Sequence, residues 1–79
     1  MTNLEKYNQA FVESFSVEAI ALNDDFVYQS LPAWDSVGHM GLMAALEEAF
    51  DVMLETDDIV DFSSYEHGKT ILRKYDIAL

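Results

Sequence analysis

The amino-acid sequence predicts an all-α fold: a small four-helix bundle of three longer helices and one short third helix, with a long loop between the first two. Apolar residues recur at intervals of three and four in two long stretches, which is the period of one helix face. Residues that cap helices or form turns separate these stretches from each other and from the end of the chain. With 79 residues, the chain is expected to form one domain, residues 1–79.

The first helix is predicted over about residues 3–15. Its apolar side chains lie at positions i, i+3, i+7 and i+11, namely Leu4, Tyr7, Phe11 and Phe15. Thr2 or Asn3 is the expected N-cap, and Glu5 lies in the first turn, where a carboxylate interacts favourably with the helix dipole. We expect the aromatic residues of this face to lie in the core.

Residues 16–33 follow neither the helical nor the strand period and are predicted to form the long loop. Turn-forming residues interrupt this stretch at residues 23–25 and 30–32. Because its apolar residues are scattered along its length, we expect the loop to be pinned to the core, and a short helical turn fits within residues 16–22. Trp34, which follows the loop, is expected to pack inside.

The second helix is predicted over residues 36–51. It would carry Met40, Met43, Leu46 and Phe50 on one face. Ser36 stands at or just before its first turn with the hydroxyl free. Gly38 and Gly41 each weaken the helix by about 1 kcal/mol relative to Ala. We expect Met40 and Met43, together with Met53 after the helix, to face inward.

Two further helices, the short third one and a longer fourth one, are predicted in the last third of the chain. Thr56 is the expected N-cap of the short third helix, with Asp57 and Asp58 in its first turn. Its apolar side is formed by Ile59, Val60 and Phe62. Ser63 and Glu66 have the spacing of a capping box at the start of the fourth helix. The fourth helix would bury one face, formed by Tyr65, Gly68, Leu72 and Tyr75. It would also place three basic residues toward its C-terminal end, where they complement the helix dipole; these are Lys69, Arg73 and Lys74.

The charge of the chain is lopsided, with 15 Asp and Glu residues against 4 Lys and Arg residues and a formal net charge of −11. Every formally charged side chain between Lys6 and Lys69 is acidic. Such a surface repels nucleic acids and anionic membranes and attracts basic partners. The charge therefore favours a role in docking to basic proteins over a role in binding nucleic acids.

Composition excludes further classes of protein. Cysteine is absent from the sequence, which excludes a disulfide framework and a thiolate metal site. No stretch approaches the roughly 20 apolar residues of a membrane span, and the start of the chain lacks the basic and apolar regions of a signal peptide. We therefore expect a cytoplasmic, monomeric protein.

The stretch from Trp34 to Asp51 carries a recognisable signature. Asp35-Ser36-Val37 is followed by Leu46-Glu47-Glu48-Ala49-Phe50. This pattern resembles the acyl and peptidyl carrier proteins, whose signature is Asp-Ser-Leu at the head of a helix that ends in a Leu-Glu-Glu-x-Phe-like run. The resemblance extends over nearly the whole chain and implies a four-helix fold with a long first loop.

The resemblance implies a function at Ser36, with Asp35 beside it. In the family, this serine carries a 4′-phosphopantetheine arm derived from coenzyme A and attached by a phosphopantetheinyl transferase. The arm holds acyl or aminoacyl groups as thioesters, which a separate ligase or synthase loads. The position suits the modification physically, because the free N–H groups and the dipole at a helix N-terminus favour an attached anion.

The surface after Ser36 departs from the family pattern. Val37 replaces the usual Leu, and Gly38, His39 and Gly41 stand where fatty-acid carriers often have carboxylates. This departure implies a specialised biosynthetic pathway rather than bulk fatty-acid synthesis. The residues expected to contact partner enzymes are Val37, His39, Leu42, Glu47 and Glu48, with His39 facing the solvent.

Other functions are less well supported by the sequence. Asp35, Ser36 and His39 include the residue types of a hydrolase triad, but the chain lacks a Gly-x-Ser-x-Gly elbow, and we expect no enzymatic activity. Asp57, Asp58 and Asp61 are clustered without the pattern of a calcium loop, and a solvated acidic turn is expected. The alternative to a carrier is an unmodified, acidic helical adaptor that binds basic protein partners.

Overall fold

The computed structural model describes residues 2–79, and regular structure in this range is helical. The helices are α1 (Asn3–Phe15), α2 (Ser36–Phe50), α3 (Thr56–Asp61) and α4 (Tyr65–Arg73). The prediction of a small bundle with three longer helices, a short third helix and a long first loop is confirmed. A single 3₁₀ turn, Ala19–Ala21, lies where the sequence leaves room for a helical turn.

The start of α1 matches the sequence prediction. Thr2 and Glu5 form a capping box, in which the Thr2 hydroxyl accepts from the backbone N–H of Glu5 at 3.1 Å and the Glu5 carboxylate accepts from that of Thr2 at 3.0 Å. These two bonds satisfy N–H groups that a helix leaves free at its start. The helix ends at Phe15, and Ser16 follows in a left-handed conformation with φ of 54°.

The start of α2 agrees with the prediction, and the N-caps of α3 and α4 differ from it by one residue. Asp35 caps α2, which makes Ser36 its first residue. Glu55 occupies the cap position of α3 without a side-chain bond, so Thr56 lies inside that helix. Ser64, not Ser63, caps α4 by accepting from the N–H of His67 at 2.9 Å.

A contact with the long loop explains the later start of α4. The carbonyl of Ser63 accepts from the N–H of Tyr28 at 2.8 Å, and the N–H of Tyr65 donates to the carbonyl of Phe26 at 2.9 Å. Val27 and Ser64 form an isolated antiparallel bridge between these bonds. Because this pairing holds the chain extended through Ser64, the predicted capping box of Ser63 and Glu66 does not form.

The core is built around the ring of Phe11, which is fully buried. Six other aromatic rings have their centroids within 5.0–6.2 Å of it: Tyr7, Phe15, Phe26, Trp34, Phe62 and Tyr65. Phe26 lies in the long loop and Trp34 at its end, so the expectation that the loop is pinned to the core is confirmed. Both residues are buried, and Trp34 completely so.

The buried face of α2 is not the face that the methionines indicated. Met40 is 55% exposed and Met53 is 85% exposed, so the prediction that both face inward is wrong; only Met43 is buried. The inner face starts at His39 and continues through Leu42, Met43 and Leu46, at positions i, i+3, i+4 and i+7. On α1, the aromatic residues of the predicted face are buried as expected, while Leu4 at its start is exposed.

The short α3 is tied to the C-terminal end of α4 through Asp58. Its carboxylate pairs with the ammonium of Lys74 and accepts from the Tyr75 hydroxyl at 2.5 Å. The same hydroxyl accepts from the N–H of Glu55 at 3.0 Å. The predicted solvated acidic turn is therefore wrong for Asp58, which is buried and paired.

Two further sequence predictions concern metals and membranes. Within residues 2–79, no group of three or more His, Cys, Asp or Glu side chains is arranged to hold a metal ion. None of the helices in this range is long and apolar enough to cross a membrane.

Candidate functional site

Ser36 occupies the first position of the 15-residue helix α2, and its side chain lies on the surface. The Asp35 carboxylate accepts from the N–H of Gly38 at 2.8 Å and thereby caps the helix. The N–H of His39 makes the first regular helical bond, to the carbonyl of Asp35. The N–H groups of Ser36 and Val37 remain without an intrahelical partner, as in the first turn of any helix.

Two backbone hydrogen bonds in the connection before α2 fix the position of Ser36. The backbone N–H of Trp34 donates to the carbonyl of Leu31 at 3.1 Å, and the N–H of Gln29 donates to the carbonyl of Trp34 at 3.1 Å. Gly38 then packs directly under this connection, where a Cβ atom would lie 2.0 Å from the carbonyl oxygen of Ala33. A glycine at this position is therefore required by the approach of the loop to the helix.

His39 bridges three segments of the chain instead of facing the solvent, so the prediction of an exposed His39 is wrong. Its Nδ1 accepts from the indole N–H of Trp34 at 3.0 Å, and its Nε2 lies 2.7 Å from the carbonyl oxygen of Ile59 in α3. Because an indole N–H can only donate, Nδ1 must be the unprotonated nitrogen, and Nε2 then donates to Ile59. The neutral imidazole therefore connects the end of the loop, α2 and α3.

A groove of about 330 Å³ opens beside Ser36, between the start of α2 and the region of α3. Its lining is mostly apolar and aromatic and comprises Tyr28, Ser36, His39, Met40, Ile59, Val60, Phe62 and Ser63. The apolar side chains of Val37, Met40 and Val60 are exposed around it. A group attached to the Ser36 oxygen would therefore find an apolar surface within reach.

The five predicted partner-contact residues differ in their accessibility. Val37 is 80% exposed, and Glu48 is exposed as well. Leu42 is fully buried, so the prediction that it contacts partners is wrong. Glu47 is half-buried, because its carboxylate accepts from the backbone N–H of Leu54 at 2.9 Å.

The residue types of a hydrolase triad do not form a catalytic chain. The Asp35 carboxylate caps the helix, and both ring nitrogens of His39 are engaged with Trp34 and Ile59. General-base catalysis needs a nitrogen that is free to take a proton from the serine hydroxyl. His39 offers none in this arrangement.

Sequence reasoning missed the roles of Met40, Val60 and Tyr28 in the groove. Tyr28 lies in the loop and enters the groove through the pairing with Ser63. No local signal in the sequence indicates this long-range contact.

The fold and the site define a small helical protein that presents a serine at a helix N-terminus. Comparisons of the chain with protein-family models, curated proteins and solved structures found no match.

Proposed function

We propose that this chain is a carrier protein that holds acyl or aminoacyl groups as thioesters on a 4′-phosphopantetheine arm at Ser36. The observation that carries the proposal is the exposed Ser36 hydroxyl at the first position of α2, beside an apolar groove. The sequence context Asp35-Ser36-Val37 supports the same assignment. Since the chain contains no cysteine, the thiol has to come from the attached group.

The electrostatics at Ser36 suit a phosphodiester. The N-terminus of α2 presents the positive end of a helix of 15 residues, and a negative charge there is stabilised. Within α2, which the structure describes completely, the first turn contains no acidic residue. Gly38, His39 and Gly41 therefore leave the attachment position free of repelling carboxylates on the helix itself.

The apolar groove supports a role in holding the cargo. Pantetheine carries an alkyl and amide chain, and the groove offers apolar side chains beside the hydroxyl groups of Ser36, Ser63 and Tyr28. Met40 lies in this groove rather than in the core, so shelter by a methionine-rich interior is not the arrangement we propose. Instead, the cargo lies against α2 and α3.

The partners are a phosphopantetheinyl transferase and a loading ligase or synthase with a basic docking surface. The transferase activates the Ser36 hydroxyl for attack on the pantetheine-bearing phosphorus of the coenzyme A pyrophosphate; the new Ser36 O–P bond replaces the P–O bond to adenosine 3′,5′-bisphosphate, which leaves, and the hydroxyl proton passes to the transferase. Val37, Met40 and Val60 provide exposed apolar contacts near the arm, and Glu48 provides a charged contact further along α2. Within the described residues of α2, the first turn next to Ser36 contains no acidic residue. This favours a partner enzyme from a specialised pathway.

The test is the intact mass of the protein after incubation with coenzyme A and a broad-specificity phosphopantetheinyl transferase. We expect the addition of one arm, which Ser36→Ala abolishes. Ser63→Ala is the matched control, because Ser63 is also an exposed serine that lines the groove, and this variant should gain one arm like the wild type. An unchanged mass of the wild-type protein would contradict the proposal and favour the unmodified adaptor.

A further inference from the structure

His39 closes the floor of the groove beside Ser36. Its ring lies between Tyr28 and Phe62, with centroid distances of 5.5 and 6.1 Å, and it lies nearly coplanar with the Trp34 ring, at an interplanar angle of 15°. Its hydrogen bonds to Trp34 and to the Ile59 carbonyl span the space between the loop and α3. An extended ligand in the groove therefore meets the edge of this aromatic cluster before it reaches the core.

The side chains behind His39 are completely or almost completely buried, and they include Trp34, Leu42, Leu46 and Phe62. To pass between α2 and α3, an alkyl chain would have to separate His39 from Trp34 and from Ile59. This would leave the indole N–H of a fully buried tryptophan without an acceptor, which is strongly unfavourable. The same movement would detach α3 from α2.

We propose that His39 determines the class of cargo. By holding α2 and α3 together, His39 confines the cargo to the outer groove, which admits short acyl and aminoacyl groups and leaves long alkyl chains in water. This inference rests on the proposed function at Ser36. It assigns His39 the role of a specificity-determining residue that acts by closing the groove.

The experiment compares cargo of increasing length on the same protein. Wild-type protein is loaded from coenzyme A thioesters to give the butyryl, octanoyl and dodecanoyl forms, and each form is confirmed by mass. In the wild type, we expect the melting temperature to be the same for all three chain lengths within about 2 °C. In His39→Leu, the melting temperature should rise with chain length by about 4 °C or more, because a ligand that is buried in the folded state stabilises it.

The single tryptophan of the chain supplies a direct readout. The indole N–H of Trp34 gives one NMR signal that reports the bond to His39. In the wild type, this signal should keep its position and its slow hydrogen exchange in the butyryl and dodecanoyl forms. In His39→Leu, it should exchange faster in every form.

Two control variants separate the specificity of His39 from a general effect on stability. His39→Gln retains an acceptor and a donor and should restore the independence of chain length. His67→Leu removes the other histidine, which lies on α4 and bonds to Asp61 of α3 at 2.8 Å, and should behave like the wild type.

The outcomes distinguish this inference from the proposed function. If the wild-type melting temperature rises with chain length as it does in His39→Leu, or if both remain flat, His39 does not select the cargo and the inference is overturned. If His39→Leu fails to fold, His39→Ala takes its place in the comparison, and a rise between the butyryl and dodecanoyl forms of the wild type contradicts a closed groove by itself. Failure of any arm to attach overturns the proposed function, and this inference with it, before melting is measured.

Discussion

Gly38 and Gly41 lie three residues apart on α2 and have opposite surroundings. A Cβ atom on Gly38 would overlap the carbonyl oxygen of Ala33 and lie 3.3 Å from the ring of Phe15. A Cβ atom on Gly41 would have no described heavy atom within 4 Å beyond its own helix. The same residue type is therefore a packing requirement at one position and a source of helix weakness at the other.

This contrast predicts stability changes of opposite sign. Gly41→Ala should raise the free energy of unfolding by about 1 kcal/mol, because Ala is the better helix former. Gly38→Ala should lower it by about 1–3 kcal/mol, because the loop at Ala33 has to move away from the new methyl group. Urea unfolding followed by circular dichroism measures both changes. Equal changes in the two variants would show that the contact between Gly38 and Ala33 does not constrain the helix.

His39 shows what the sequence alone could and could not indicate. The spacing of His39, Leu42, Met43 and Leu46 is a complete helical stripe, so the buried face was present in the pattern. The pattern nevertheless favours the wrong face, because Met40 is more apolar than histidine and because histidine is commonly found on the surface. The donor that makes burial favourable, the indole N–H of Trp34, could not be placed next to His39 without the tertiary structure.

At the scale of elements, α3 depends on contacts with its neighbours. A helix of six residues is too short to be stable by itself. It is attached to α2 through His39 and the Ile59 carbonyl, and to the end of α4 through Asp58, Lys74 and Tyr75. The hydrogen bond from Lys74, followed by that from Tyr75, lowers the pKa of Asp58.

The lowered pKa predicts a specific loss of stability in acid. A carboxyl group whose pKa is lower in the folded state stabilises the fold fully at pH above its ordinary value of 3.8, and this stabilisation is lost as the pH falls through the lowered value. Asp58→Asn should therefore be less stable than the wild type at neutral pH, and the difference should shrink in acid. The measurement is urea unfolding at a series of pH values from neutral to below 3.8.

The neighbouring Asp57 provides the control for this titration. It is exposed and lies in the same first turn of α3. Asp57→Asn therefore alters the charge of the helix but keeps the ion pair and the hydrogen bond of Asp58 with Lys74 and Tyr75. Its stability should follow that of the wild type across the pH series. If Asp57→Asn and Asp58→Asn lose the same stability at neutral pH, the contribution assigned to the Asp58 pairs is wrong.

The existence and order of the helices could be predicted because local periodicity determines them, but their exact starts could not. The capping box of Thr2 and Glu5 is entirely local and was predictable. The cap of α4 shifted from Ser63 to Ser64 because Tyr28 and Phe26 pair with the extended chain there. That pairing joins residues more than 30 positions apart, and no window along the sequence contains both partners.

At the scale of the whole molecule, charge is distributed unevenly over the helices. Lys6 lies in α1, while Lys69, Arg73 and Lys74 lie in α4 or directly after it. All of α2 and α3 is described, and neither helix contains a lysine or arginine. We propose that partners contact the side of the molecule around Ser36 and Val60, which α2 and α3 form. The charged residues that these two helices contribute to it are therefore acidic.

The net charge predicts that salt stabilises the fold. The molecule measures 29 × 27 × 20 Å, so at about 0.01 M salt nearly every pair of charges lies within one Debye length, about 30 Å. Repulsion among the acidic groups then opposes folding. Raising the salt concentration to about 0.1 M shortens the Debye length to about 10 Å and should raise the melting temperature. NaCl and KCl should act equally, and a fall in the melting temperature would show that ion pairs outweigh repulsion.

The central position of Phe11 has a consequence for the way the chain folds. Its ring meets Phe26 and Trp34 from the first loop and Phe62 and Tyr65 from the last third of the chain. A consecutive piece of the chain that contains this whole cluster has to run at least from Tyr7 to Tyr65. A partly folded chain lacks several of the aromatic contacts of Phe11 and is therefore only weakly stabilised. We expect the native contacts to form together in one cooperative step. A protease that cuts the loop between α1 and α2 would therefore separate two pieces of which neither can hold its shape.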